Sequence, residues 1–177
     1  MNIEVKEYYF TNNLTAEFYI THLGLLPHPE GGFYKENYRS GEKWSGTSDE
    51  FPFDRNFSTA IYYLLSNGDF SGFHRIKSDE CWHHYAGDTL LIHIIHKDGT
   101  YECIHLGKHS GNGEVFQFVV PANAWFASEP APGSSFVLTG CTVSPGFDFK
   151  DFEMAKQIEL LQQFPQHAMI IQQLTAR

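Results

Sequence analysis

Between residues 57 and 142, short runs rich in β-branched and aromatic residues alternate with turn signals, and this pattern narrows the possible folds more than any other. STAIYYLL, DFSGFHRI, ECWHHYA, TLLIHIIH, TYECIHL, EVFQFVV, AWFAS and SSFVLTGCTV are the candidate strands. NGD at 67–69, GD at 87–88, KDG at 97–99, SGNG at 110–113 and PAPG at 130–133 divide them. Strands so short and so evenly spaced predict an all-β sandwich or barrel. Asp98-Gly99 lies between two β-rich runs and predicts a two-residue hairpin with a type I′ turn.

The flanks change character. NLTAEFYITHLG, 13–24, predicts a short helix with Asn13 as N-cap and Gly24 as its C-terminal stop. The turn residues Pro27, Pro29, Gly31 and Gly32 then lead into a strand from about Phe33, and 43–56 has loop composition. From Asp151 a helical period returns, is broken at Pro165, and resumes over 166–174. No linker or low-complexity stretch interrupts the chain. The expectation is one domain over 1–177, with a barrel at about 32–145 and terminal helices at about 13–24 and 151–174 packed outside it.

Composition excludes several functions. Twenty-one acidic against 12 Lys and Arg residues give a net charge of -9, which repels a phosphate backbone and argues against nucleic acid. Cys81, Cys103 and Cys141 form no CxxC pair, so neither a thiolate zinc site nor a disulfide framework is indicated. The first residues lack a basic stretch followed by an apolar run, and no apolar stretch is long enough to span a bilayer. A cytoplasmic protein without membrane association is expected.

FSGFHRIKSDECWHHYAGD, 70–88, concentrates the candidate chemistry. Alternation puts His74 and Ile76 on one strand face, and Glu80, Trp82 and His84 on one face of the next run. If the Lys77–Asp79 turn pairs these strands, His74 and Glu80 converge near Trp82 and His84. The carboxylate would then fix the imidazole tautomer and raise its basicity. His83 is predicted to face outward with Cys81, and His93, His96, His105 and His109 follow no ligand spacing. In STAIYYLL, parity puts Tyr62 forward as the group returning a proton from the opposite side. Glu30 reads equally as a turn residue or a cavity-rim carboxylate; Tyr34 and Arg39 would line the interior, while His28 reads as structural. Trp82 and Trp125 offer flat surfaces for a ring-shaped ligand. Arg75 and Lys77 could draw a phosphate to the mouth.

The spacing Gly68-x5-His74-x-Ile76-x3-Glu80-x6-Gly87 resembles the first motif of the cupin superfamily, with Ile76 where that motif has its second histidine. The second motif is looser: Pro121 fits, while Val115, Asn123, Phe126 and Pro130 stand at its glycine, glycine, histidine and asparagine positions. HPEGGFYKENYRS at 28–40, STAIYYLL at 58–65, the 74–88 stretch and VSPGFDFKDFEMA at 143–155 resemble the fifth cupin family, a likeness running from about Leu14 to Leu174. The resemblance implies an all-β fold, the cupin double-stranded β-helix or jelly-roll barrel, with short helices at both ends. It also implies a likeness in fold to sugar-nucleotide epimerases, whose Arg-Gly-Leu-His sequence is similar to Ser71-Gly72-Phe73-His74. Metal-dependent cupins use three histidines and a glutamate, and Ile76 and Phe126 remove two of those donors.

The expected function is therefore a cofactor-free barrel that binds a small carbohydrate-like or nucleotide-containing ligand and acts as an isomerase or epimerase. His74 is the expected base, Glu80 its orienting partner and Tyr62 the acid. Trp82, His84, Tyr34, Glu30, Arg39 and Trp125 are the expected ligand contacts. Two other readings stay open: a non-enzymatic binding or storage module, and a divalent-metal enzyme using His74, Glu80 and His84. By the same resemblance a homodimer is expected, with the 33–39 strand as the contact.

Overall fold

A computed structural model describes residues 14–45, 51 and 54–175. Helix α1 (Ala16–Leu23) opens the described chain. Strands β1 (Leu26–Pro27), β2 (Phe33–Arg39), β3 (Lys43–Trp44), β4 (Arg55–Asn56), β5 (Thr59–Ser66), β6 (Ser71–Arg75) and β7 (Asp79–Gly87) follow. Then come β8 (Leu90–Ile95), β9 (Tyr101–Leu106), β10 (Gln117–Val120), β11 (Trp125–Pro130), β12 (Phe136–Ser144) and β13 (Glu153–Met154), before helices α2 (Gln157–Gln163) and α3 (Ala168–Gln173). One sheet has the order β1-β2-β5-β12-β7-β10 and faces a second with the order β13-β6-β11-β8-β9; β3 and β4 pair by themselves. The pairs between named strands are antiparallel, and the result is an all-β barrel, as the strand pattern predicts, of the jelly-roll kind that the resemblance implies.

Three apolar layers hold it together. Between the sheets lie Tyr63, Leu65, Trp82, Ile92, Ile94, Phe126 and Val137. Outside the five-stranded sheet, Phe73, Ile95 and Trp125 pack under Leu160, Phe164, Ile171 and Leu174 of the C-terminal segment. Outside the six-stranded sheet, Leu64, Phe136 and Leu138 pack under Ala16 and Leu25, with Tyr62 against them. Both sheets are thus buried on two faces over much of their area, as the expected packing of terminal helices outside the barrel requires. Among the described residues no helix is long and apolar enough to cross a membrane.

Local expectations needed four corrections. The helix cap expected at Asn13 lies outside the described residues; Thr15 performs this role, accepting the Phe18 N–H at 3.3 Å, while Gly24 ends the helix at φ 63° as expected. The 97–99 turn is not type I′, because only Gly99 has positive φ; His96 and Gly99 donate to Thr100 and His96 carbonyls in a turn with a glycine bulge. The helical period after Asp151 begins only at Gln157, because Glu153 and Met154 first pair with Arg75 and His74 and cover the edge of β6. Finally, β6 and β7 do not pair. The link 76–78 crosses from one sheet to the other, tied by Asn123 N–H to the Ile76 carbonyl at 2.8 Å, so His74 and Glu80 belong to facing walls.

Candidate functional site

A cavity of about 360 Å³ lies between the sheets at the end where β6, β7 and β12 meet the 147–149 segment. His74, Glu80, Trp82, Glu30, Tyr34 and Arg39 all line it, together with His28, Tyr63 and Cys141. A volume of this size is at the small end of ligand pockets.

His74 is 3% exposed, at the inner face of β6. Its Nδ1 is 2.7 Å from the Gly72 carbonyl, which can only accept, so Nδ1 carries the proton and Nε2 is left with the lone pair. Nε2 lies 3.5 Å from Glu30 Oε2. The imidazole is wedged against the ring of Phe126, with centroids 4.0 Å apart. Orientation of His74 thus comes from the Gly72 carbonyl and the Phe126 ring, not from Glu80 as expected.

Glu30 owes its position to the turn before β2. Gly31 at φ 116° and Gly32 at φ 66° bend the chain so that His28 N–H reaches the Gly32 carbonyl at 2.9 Å. A Cβ on Gly31 would stand 2.1 Å from the Phe70 carbonyl oxygen. Glu30 Oε2 accepts from Ser71 Oγ at 2.8 Å, and its backbone N–H donates to His28 Nδ1 at 3.2 Å. The rim reading of Glu30 therefore understates its depth, and His28, expected to be structural, also faces the cavity. Burial holds the His28 imidazole below its ordinary pKa; Glu30 opposes that shift and His74 adds to it.

Across the cavity, β7 presents Glu80 and Trp82 from alternate positions. Burial first, and then the negative charge of Glu30, pushes Glu80 up to about 8, against a hydrogen bond with Cys141 that pulls it down. At neutral pH Glu80 is a carboxylic acid with a proton to give. Trp82 is 2% exposed and its indole N–H has no hydrogen-bond partner among the described residues. The Cys141 thiol stays protonated, raised by burial and by Glu80.

Three expected site residues lie elsewhere. Tyr62 points outward against Tyr85, with centroids 6.0 Å apart, and its neighbour Tyr63 faces the cavity instead, donating to the Gly31 carbonyl at 2.8 Å. Burial raises the Tyr63 phenol well above its usual value, so it too keeps its proton. His84 is beyond the cavity at the far end of β7, its Nε2 2.9 Å from the Asp88 carbonyl. Trp125 packs outside the five-stranded sheet beneath the C-terminal helices, with the Arg75 guanidinium 4.4 Å from its ring. His83 and its Thr142 contact at 3.1 Å are outside the cavity, as the sequence predicted.

Charge inside the cavity is mostly negative. Arg39 is bound to Glu36 at 2.6 and 2.8 Å, with further bonds to Asn56 and the Phe147 carbonyl. Asp148 joins Glu30 and Glu36 on the lining. Arg75 and Lys77 line a separate open groove, where Arg75 pairs with Glu153 at 2.7 Å and Lys77 lies 3.8 Å from Asp151.

The donor set does not fit a cupin metal. Ile76 and Phe126 bring hydrocarbon to two of the four ligand positions, and His84 is too far along β7 to replace either. Among the described residues no group of three or more His, Cys, Asp or Glu side chains is arranged to hold an ion.

Comparison with known proteins gives a consistent picture. A family model described as cupin superfamily (DUF985) matches residues 17–155. The uncharacterized protein YML079W of Saccharomyces cerevisiae is 32% identical over 143 residues, covering 75% of this chain and 71% of its own. A hypothetical protein from Leishmania major has a TM-score of 0.85 at 39% identity, covering 92% of this chain and 99% of its own. Protein SO0799 from Shewanella oneidensis gives 0.82 at 39%, covering 92% and 98%. Oxalate decarboxylase from Bacillus subtilis has a TM-score of 0.51 at 13% identity over 84% of this chain and 36% of its own, a likeness of fold alone.

Proposed function

Because the chain belongs to the DUF985 family of the cupin superfamily, and this fold hosts many chemistries, its function has to be sought in the cavity; we propose that it is proton transfer on a small ligand, without a resident metal. His74 is the base, and isomerisation or epimerisation next to a carbonyl is the reaction. The observation that carries this reading is the pair of contacts on one imidazole: Nδ1 fixed to Gly72 at 2.7 Å, and Nε2 beside Glu30 at 3.5 Å.

In this reading Nε2 takes a proton from carbon, and Glu30 stabilises the imidazolium that forms. Glu80 on the opposite wall holds a proton at neutral pH and supplies the acid expected of Tyr62. Two facing groups, one bare and one protonated, let a proton leave carbon while the carbonyl oxygen receives one. The acidic lining supports the carbohydrate-like ligand over the nucleotide-containing one, because Arg39 is already bound to Glu36 and would not compensate a phosphate. We further propose that two copies associate along the outer edge of β2, which beyond Tyr34 has no strand partner among the described residues.

Solvent deuterium exchange tests the chemistry. The protein is incubated in D₂O with a panel of neutral aldoses and ketoses, and loss of the proton signal next to the carbonyl is followed by NMR. Exchange that falls on the order of 100-fold or more in His74→Asn, with the fold retained, is the expected result. Exchange unaffected by that substitution removes His74 as the base. Retention of a sugar with no exchange assigns the barrel to binding alone.

A further inference from the structure

The wall facing His74 carries two hydrogen-bond donors that lack an acceptor of matching strength. Trp82 is buried at 2% exposure, lines the cavity, and leaves its indole N–H without a partner among the described residues. Such an orphaned donor is uncommon in a folded interior and has to be accounted for. Two residues before it on the same strand face, the Glu80 carboxyl lines the same cavity, and the side chain bonded to it is the weakly hydrogen-bonding thiol of Cys141. Strand geometry spaces these two side chains about 6.6 Å apart at their backbones, close enough for both to reach one small group.

We infer that the cavity takes an uncharged carbonyl compound, whose oxygen is held jointly by the Trp82 indole N–H and the Glu80 carboxyl O–H. This rests on the proton-transfer reading of the same site and names its substrate class. With the oxygen on that wall, the adjacent carbon faces His74. Nε2 removes the proton from that carbon, the C–H electron pair becomes a carbon–carbon double bond, and the carbonyl π pair moves onto oxygen. The two donors stabilise the charge that develops there, and Glu80 can deliver its proton to give the neutral enol. For an α-hydroxy carbonyl compound, the His74 imidazolium then returns the proton to the former carbonyl carbon and the neighbouring hydroxyl gives its proton back to Glu80, so the carbonyl moves by one carbon with no change in overall oxidation state and no co-reactant. Carboxylates and phosphates are excluded by Glu30, Glu36 and Asp148, which share the lining while Arg39 is engaged by Glu36. A protonated Glu80 explains why the wall donates to an oxygen when a glutamate would ordinarily accept: burial keeps the proton in place up to about pH 8.

Three isosteric probes test this on the wild-type protein: acetophenone, α-methylstyrene, in which a CH₂ replaces the carbonyl oxygen, and benzoate. Binding is followed by intrinsic fluorescence and by the infrared carbonyl stretch of labelled acetophenone. The expected result is acetophenone bound at least tenfold more tightly than either analogue, with its stretch shifted to lower frequency. Its affinity should decline above about pH 8 in the wild type but not in Glu80→Gln, which keeps a donor and does not ionise. Trp82→Phe should lose roughly tenfold; because Trp82 is in the core, the isostere comparison and the frequency shift serve as readouts that need no variant. Equal affinity for acetophenone and α-methylstyrene, tighter benzoate, an unshifted stretch, or no acetophenone binding at millimolar concentration overturns the inference. His74→Asn separates the two readings: carbonyl selectivity that survives while exchange stops supports both. Exchange that depends on His74 without carbonyl selectivity leaves the base standing and removes the oxygen-binding pair.

Discussion

Glu80 is a buried carboxyl in the site, and its titration has a definite sign. Its folded-state value of about 8 exceeds the ordinary 4.5, so between those values the folded protein binds more protons than the unfolded chain. Its contribution is fully present below about pH 4.5 and is lost as pH rises through 8, at up to about 1.4 kcal/mol per unit. Glu80→Gln should therefore flatten the decline of stability over that window, measured as urea midpoints at several pH values. An unchanged decline would mean that Glu80 is solvated. His93 slopes the other way. Burial lowers it to about 4, so stability tied to it is lost as pH falls from about 6.5 towards 4. The two slopes oppose each other between about pH 4.5 and 6.5, and above about pH 6.5 the Glu80 slope is left.

Elements decide which residues can meet, and the turn before β2 is the most demanding of them. Gly31 and Gly32 occupy positive φ, and a Cβ on either would collide with a carbonyl oxygen, of Phe70 at 2.1 Å and of Leu64 at 2.4 Å. Gly31→Ala should cost more than about 2 kcal/mol in denaturant unfolding and displace Glu30 from His74, lowering deuterium exchange in whatever protein remains folded. An alanine variant of native stability would show that the turn is not the constraint described. Much of this was legible in advance: the strand succession, the Gly24 stop, and the inward set Glu80 and Trp82 all follow from alternation and turn chemistry. Tyr62 was misread because β5 is buried on both faces, towards the cavity and towards α1, so alternation cannot tell inside from outside there. The pairing of β6 with β7 was misread because a three-residue link looks the same whether it returns in one sheet or crosses to the facing one. His28 and Cys141 carried no spacing signal; only the tertiary convergence of the 28–32 turn and β12 brings them to the cavity.

At the scale of the whole molecule, an acidic barrel with its site between its own two sheets leaves association to its sheet edges. The proposed contact along β2 runs over Lys35, Glu36 and a bulge at Asn37, features that shorten and charge an edge. Pairing there should be weak and salt-sensitive, with a dimer at low ionic strength that dissociates as salt is raised, measured by light scattering after size exclusion. A monomer at every salt concentration removes the contact, and a salt-indifferent dimer moves it to an apolar surface. Neither result alters the cavity, which is built from one copy. What the cavity depends on is a histidine whose lone pair faces inward, and nitrogen-15 NMR of histidine-labelled protein at a pH where imidazoles are neutral measures that directly. The proton of His74 should reside on Nδ1, with Nε2 bare and responsive to an added carbonyl ligand. A proton found on Nε2, with Nδ1 bare, would leave His74 without an inward-facing lone pair and contradict the account.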